Sequence, residues 1–296
     1  MGLSIASKWI GMYSAVGLAV LFFLTVYRQY RVSMKAWEVE MQGVKLTPLQ
    51  SVRVQTAQKF TLQRILVTCI CCVAFFVLIP CLIYCACYIP YLSPTGPVTL
   101  DRIYQAQVGM LNYHSTPGLG MDHPFQSPWW QWPFILKPMW FSQDHFEPAG
   151  YASTILCMGN PWVFYIGAFA MAAVLIACIC KYVQVGRDGI VLKKGNGDLT
   201  LLILAIGFLA QYLPWVLVPR SMYIYHYFAS VPFIIMATAW LLDHLTDGRP
   251  RLRAAVMTIY VLGAVVFFIL FFPYASGRLT STRWLDAMKW FKGIYY

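Results

Sequence analysis

Charge is scarce in this sequence: Asp and Glu number 11 in 296 residues, and charged side chains of either sign make up 11%. A soluble domain uses roughly a quarter of its residues that way, so this composition cannot supply a water-facing shell. Familiar phosphate and metal motifs are missing as well. There is no Walker loop, no dinucleotide fingerprint and no HExxH zinc helix. Internal repeats, low-complexity tracts and the alternating strands of a membrane barrel are likewise absent. Only Cys157 of the nine cysteines falls in a long polar connection, which excludes an external disulfide framework.

What the chain has instead is apolar length. Hydrophobic residues make up 59% and the mean hydropathy is +0.61. Six runs approach the ~20 residues that cross a hydrocarbon core as helix: Leu3–Tyr27, Ile65–Ile89, Trp162–Cys180, Leu199–Val218, Tyr223–Leu242 and Ala254–Phe272. The expected fold is an all-α polytopic transmembrane helix bundle with an ordered external loop. Residues 1–89 hold two spans joined by a basic loop, 90–161 form the external loop, 162–273 hold four spans, and 274–296 form an external tail. The first span does not read as a cleavable signal peptide: no basic stretch precedes it, Lys8 lies inside it, and no small-residue cleavage site follows.

The net charge of +11 follows from loop placement and needs no nucleic-acid partner. Segment 28–64 carries seven basic residues, 181–198 four and 243–253 three, whereas 90–161 carries only Arg102 and Lys137. The positive-inside rule then makes the Arg28–Arg64 loop cytoplasmic and turns the long loop, the Arg220 link and the C-terminus outward. The 28–64 loop reads as one or two interfacial helices or as a solvated connector. Six cysteines crowd the second span, where cysteine acts as a small hydrophobe, and no metal site or cofactor is expected.

Two regions carry chemistry. The external loop is rich in Trp, Tyr, His and Pro; Trp129, Trp130, Trp132 and Trp140 suit a membrane-interface belt, or a carbohydrate platform completed by Gln131, His114 and Asp122. The stretch RSMYIYHYFASVPF begins after Pro219, which fits a first helical turn. Helical spacing from there places Arg220, Tyr223, His226, Tyr227 and Ser230 on one stripe. A polar stripe two turns into a bilayer should face protein or a cavity, and a guanidinium near a helix N-terminus suits an anion such as a phospholipid-like head group. Snorkelling with an aromatic belt would explain Arg220 and Tyr225 but not His226. Lys8 reads as a snorkelling residue, with an anion contact as the alternative.

Leu213–Phe233, LPWVLVPRSMYIYHYFASVPF, resembles the C-terminal membrane segment of the protein O-mannosyltransferases, the dolichyl- or polyprenyl-phosphate-mannose dependent enzymes of the GT-C class. Gly2–Phe23 is similar to the family's mid-chain helix with its SKW…G.Y pattern, and Met110–Phe134 to its external loop. The resemblance implies a polyprenyl-phosphate-linked sugar donor, an exported protein as acceptor, and inversion by direct displacement. On that reading Arg220 binds the donor phosphate, Tyr223, His226 and Tyr227 shape its site, and His114, Trp129 and Trp130 line the external groove.

The chain departs from the family pattern in two ways. The catalytic acid pair of the family's first external loop has no counterpart, because no Asp-Glu dipeptide occurs, so the expectation is a C-terminal portion or truncated product. The external loop of 72 residues has no room for the β-trefoil insertion of fungal and animal members, which points to a bacterial type and a plasma-membrane location. Asp101, Asp122, Asp144 and Glu147 are the external-loop carboxylates and read as solvated surface charges. The alternatives are a relative that glycosylates a lipid or cell-wall polymer, and a non-catalytic membrane fragment or subunit. Transport is disfavoured, since the polar residues gather at the outer mouth.

Overall fold

The computed structural model describes residues 1–43, 45–59, 62–144, 147–186, 189–192, 199–291, 294 and 296. Arg187, Lys193 and Lys194, three of the four basic residues counted above in segment 181–198, lie outside them, as does Lys292. The chain forms two compact units, Met1–Met110 and Leu111–Tyr296. Among the described residues six helical runs are long and apolar enough to cross a membrane, as the sequence predicts. The protein is an integral, multi-pass membrane protein.

In the first unit, α1 (Gly2–Ser7) and α2 (Gly11–Met41) are separated at Lys8, whose backbone is extended (φ −163°). The expected continuous first span is therefore broken. The chain turns sharply between them, so that a Cβ on Gly11 would lie 2.6 Å from Ser4 Oγ, while α1 packs on the second span, where a Cβ on Gly2 would lie 2.7 Å from the Pro80 carbonyl. α2 continues to Met41, so part of the anticipated 28–64 loop is helix, followed by α3 (Pro48–Gln58) behind a Thr47/Gln50 capping box. The second span comprises α4 (Leu62–Val73), a π turn (Ala74–Leu78) and α5 (Ile79–Cys87). Pro80 explains the π turn: its missing N–H interrupts the ladder, and Ile79 N–H bonds instead to Ala74 O, five residues back. Two short helical turns, α6 (Ile89–Leu92) and Ser93–Thr95, lead to α7 (Leu100–Ser115), which carries the unit boundary. Trp9 donates to Tyr84, and Tyr84 to Gln107, tying the α1–α2 turn to α5 and α7.

In the second unit the chain after α7 forms a 3-10 turn (Trp129–Phe134) and three short strands, β1 (Met139–Gln143), β2 (Tyr151–Ala152) and β3 (Thr154–Cys157). β1 pairs antiparallel with β3, with a bulge between Trp140 and Ser142. Four spanning helices follow, and the basic link after the first of them contains a hairpin of β4 (Val183–Gly186) and β5 (Gly189–Leu192). The four are α8 (Pro161–Tyr182), α9 (Thr200–Tyr212) with a 3-10 extension through Leu217, α10 (Val231–Leu245) and α11 (Pro250–Ser276). Asn160 caps α8, its Oδ1 accepting from Trp162 N–H (3.0 Å) and Val163 N–H (3.3 Å), while its amide donates to Ala264 O (2.8 Å). Phe164, Gly167, Met171 and Val174 recur at helical spacing along the buried face of α8. β6 (Thr280–Ser281) then pairs with β2, and α12 (Thr282–Ala287) closes a core of Ala152, Leu156, Phe271, Tyr274, Leu285 and Ile294.

Lipid cannot drive helices together by hydrophobicity, so small residues bring them into contact. A Cβ on Gly207 of α9 would stand 2.1 Å from the ring of Phe233 on α10. Gly207→Ala is expected to destabilise by roughly 1–3 kcal/mol, and Phe233→Leu in the same chain to recover most of that. Thermal unfolding in detergent measures both; an Ala variant as stable as the parent would show that Phe233 swings aside without loss.

Cys157 on β3 is buried, and that burial pushes its thiol up from 9.0 to about 11. At pH 8 it should react with a maleimide about 100-fold more slowly than an ordinary thiol, because only the thiolate attacks. Labelling at Cys157 before and after unfolding, located by peptide mass, checks this; equal rates would refute it.

Candidate functional site

The segment between α9 and α10 departs from the stripe predicted above. Pro219–Tyr223 is non-helical, bending at Arg220 and extended at Tyr223 (φ −143°), Ile224–Ser230 is a 3-10 helix, and α10 starts at Val231. Pro232, not Pro219, occupies the helix start, since its ring and missing N–H prevent an α-helix from running through it from upstream. Arg220 and Tyr223 therefore share no helical face with His226, Tyr227 and Ser230. The three-residue period of the 3-10 helix instead aligns Ile224, Tyr227 and Ser230, all at most 1% exposed.

The non-helical run is held by a backbone zip to the preceding loop. Gly118 N–H donates to Pro219 O (3.1 Å), Ser221 N–H to Leu119 O (2.9 Å) and Ser127 N–H to Met222 O (2.8 Å). Gly120 (φ +69°) is required at this approach, because a Cβ there would lie 2.7 Å from Ser221 Oγ. Ser221 and Met222 are buried, while Arg220 between the bonded positions stays half-exposed. Arg220 forms no ion pair with a carboxylate among the described residues. Its charge reaches the Tyr225 hydroxyl, and the Tyr223 and Tyr225 rings stack at 5.6 Å.

His226 is 2% exposed and stands behind this mouth. Its ring packs on Trp215 (4.1 Å), Tyr225 (4.2 Å) and Trp132 (5.9 Å). Nδ1 faces both the N–H (3.2 Å) and the C=O (3.0 Å) of Tyr223, so either tautomer anchors the same residue. His226 thus fixes the backbone at Tyr223. Tyr227 turns deeper, between Phe164 and Tyr212, and neither its hydroxyl nor that of Ser230 has a hydrogen-bond partner among the described residues.

Of the residues expected in an external groove, Trp129 is half-buried, its carbonyl accepting from Tyr212 Oη (2.9 Å), and Trp130 is 51% exposed. His114, exposed at the end of α7, meets the Tyr113 ring edge-on. Sequence reasoning overlooked His123. Its ring packs edge-on against Tyr223 (5.1 Å), and its Nδ1 accepts from Phe125 N–H (3.2 Å). The neutral ring then carries its proton on Nε2 as a hydrogen-bond donor. No spacing in the sequence signals this, because the backbone zip alone brings residue 123 beside 223. The loop's fixed point is Trp132, fully buried, whose Nε1 donates to Ser127 O (3.1 Å) and Ser127 Oγ (3.0 Å). Arg220 is thus a half-exposed cation on a hydrogen-bonded run before α10, with Tyr223 Oη donating to Ser221 Oγ (3.4 Å) and the His123 ring packed on Tyr223.

Residues 99–294 match the family described as the C-terminal four TMM region of protein-O-mannosyltransferase. A polyprenol-phosphate-mannose–protein mannosyltransferase of Mycolicibacterium smegmatis is 23% identical over 321 residues, covering 96% of this chain and 54% of that protein. Protein O-mannosyl-transferase 2 of Danio rerio is 26% identical over 66% of this chain and 29% of its own length. The chain spans about half the length of the mycobacterial relatives it matches. Among solved structures, the S. cerevisiae protein O-mannosyltransferase Pmt1-Pmt2 complex bound to the sugar donor aligns with a TM-score of 0.52 and 19% identity, over 68% of this chain and 27% of that one. The match across residues 99–294 makes this chain a member of the protein O-mannosyltransferase family, through its C-terminal transmembrane region.

Proposed function

We propose that this chain holds the phosphate of a polyprenyl-phosphate-linked mannose, or a similar hexose, at Arg220, in a membrane glycosyltransferase that modifies Ser and Thr hydroxyls of exported proteins. The observation that carries this reading is the Arg220 guanidinium, half-exposed with no carboxylate partner among the described residues and set on a hydrogen-bonded loop. A fork of N–H donors neutralises phosphate oxygens best in such a place. Tyr223, whose Oη donates to Ser221 Oγ (3.4 Å), and His123, whose ring packs on Tyr223, would shape the site around it. In the reaction the acceptor oxygen bonds to the anomeric carbon, the bond from that carbon to the phosphate oxygen breaks, and polyprenyl phosphate leaves with the bond's electrons. Arg220 would stabilise the charge gathering on that phosphate. The acceptor's proton needs a carboxylate base, a role assigned to none of Asp101, Asp122, Asp144 and Glu147. The charge pattern of the loops supports an outward-facing site and C-terminus, and the 72-residue external loop, too short for a β-trefoil insertion, supports a bacterial plasma membrane.

The test is donor binding by the full chain in nanodiscs, read by competition against labelled polyprenyl-phosphate mannose. Polyprenyl phosphate should compete at least about 30-fold better than uncharged polyprenol, and His123→Gln should weaken donor binding by roughly 5–10-fold, one hydrogen bond to a charged group. Equal competition by phosphate and alcohol would reject the phosphate site.

A further inference from the structure

The tail after α11 does not project away from the helix. Gly277 (φ +67°) reverses the chain, and Ser281 Oγ caps α12 by accepting from Trp284 N–H. The segment is anchored from beneath: Leu285 and Ile294 are 1% exposed, and Tyr274 Oη donates to Leu285 O (2.5 Å). From this footing the tail runs back alongside α11. Trp290 packs on Phe267 (5.9 Å) and Phe271 (5.1 Å), and Trp284 Nε1 donates to Leu270 O (3.4 Å). Those partners lie five to nine residues before Ser276, which at ~1.5 Å per residue is roughly 8–14 Å below the helix end. That level is the outer part of an apolar span, where indoles settle with one face in hydrocarbon and the N–H toward polar groups.

The outer surface of this re-entrant segment has a second property. Trp284 (40%) and Trp290 (51%) are exposed, and with them Arg278, Arg283 and Lys289. The carboxylate of Asp286 accepts from the Tyr296 hydroxyl, so it is already occupied. None of the three cations has a carboxylate within 4 Å among the described residues. Lys289 instead stands 5.3 Å above the Tyr296 ring. Exposed indoles beside uncompensated cations, at the end of a spanning helix, match the two parts of an anionic lipid: acyl chain below, phosphate above.

We propose that Arg278–Trp290 is a lipid-binding surface that selects anionic phospholipid in the leaflet at the C-terminal end of α11. The cations take the phosphate, and Trp284 and Trp290 take the upper acyl chain. This surface is independent of the Arg220 site and holds whether or not that site binds a sugar donor.

The full chain, released from nanodiscs containing equal phosphatidylglycerol and phosphatidylcholine, should retain phosphatidylglycerol selectively by native mass spectrometry. The Arg278→Gln/Arg283→Gln/Lys289→Gln variant should lose at least about tenfold of that selectivity, since each basic residue near a membrane surface contributes appreciably to anion attraction. The control Arg249→Gln/Arg251→Gln at the opposite end of α11 should keep it. Brominated lipid should quench more fluorescence in the parent than in Trp290→Phe, a readout that does not depend on the charges. Retained selectivity in the triple variant, its loss in the control, or quenching unchanged by Trp290→Phe would each overturn the proposal.

Discussion

Trp132→Ala is expected to destabilise the second unit by roughly 3–5 kcal/mol, the largest stability effect of any single change considered. The indole is fully buried, and its ring meets Trp215 at 5.8 Å, His226 at 5.9 Å and Tyr212 at 6.5 Å. Truncation would leave a cavity bounded by large rings that cannot collapse into it. It would also strip a donor from both Ser127 O and Ser127 Oγ, and Ser127 is the residue whose N–H holds Met222. Trp132→Phe keeps most of the volume and loses the N–H, so it should cost about 1–2 kcal/mol. Thermal unfolding in detergent ranks the variants, and hydrogen exchange at the Ser127 amide reports the zip directly. An Ala variant within about 0.5 kcal/mol of the parent would mean that Trp132 is not the fixed point of the loop.

Arg220→Ala should weaken donor binding by about 10–100-fold while leaving the unfolding midpoint nearly unchanged. Both halves of this expectation come from the same placement. The guanidinium is half-exposed with no carboxylate partner among the described residues, so little folding energy depends on it. A phosphate docked there would gain charge-assisted hydrogen bonds of roughly 1.5–3 kcal/mol. Arg220→Lys retains the charge but not the planar fork, and should fall between the parent and Ala. Binding isotherms at two salt concentrations separate the effects, since the parent should lose more affinity with salt than Arg220→Ala. Unchanged donor affinity in Arg220→Ala would remove this residue from the phosphate site; a collapsed unfolding midpoint would assign it a structural role instead.

The segment from Leu213 to Phe233 shows how far residue spacing carries. Its polar content, its cation and its position between two spans are all legible. The helix phase is not legible there, because two prolines, Pro219 and Pro232, offer equally good helix starts. Loop 116–127 decides between them by pairing its backbone with residues 219–222, which keeps that run out of a helix. The same pairing places His123 beside Tyr223 and buries His226 behind it. The break at Lys8 was hidden for a related reason: a single lysine does not interrupt the largely apolar run Leu3–Tyr27, and only the close approach of Gly11 to Ser4 reveals that the chain turns sharply there.

By itself, then, the sequence determined the six spans, the helical class and the resemblance to the family, because apolar length, scarce charge and short signatures act locally and need no partner. The tertiary structure decided which polar side chains face one another. Hydrogen bonds and ring contacts between residues about a hundred apart, such as Gly118 with Pro219 or Trp132 with His226, depend on how loops close over the helix ends. The lipid-facing tail is the same case. Its tryptophans and cations are plain in the sequence, but the left-handed turn at Gly277 and the buried Leu285 bring them back against α11.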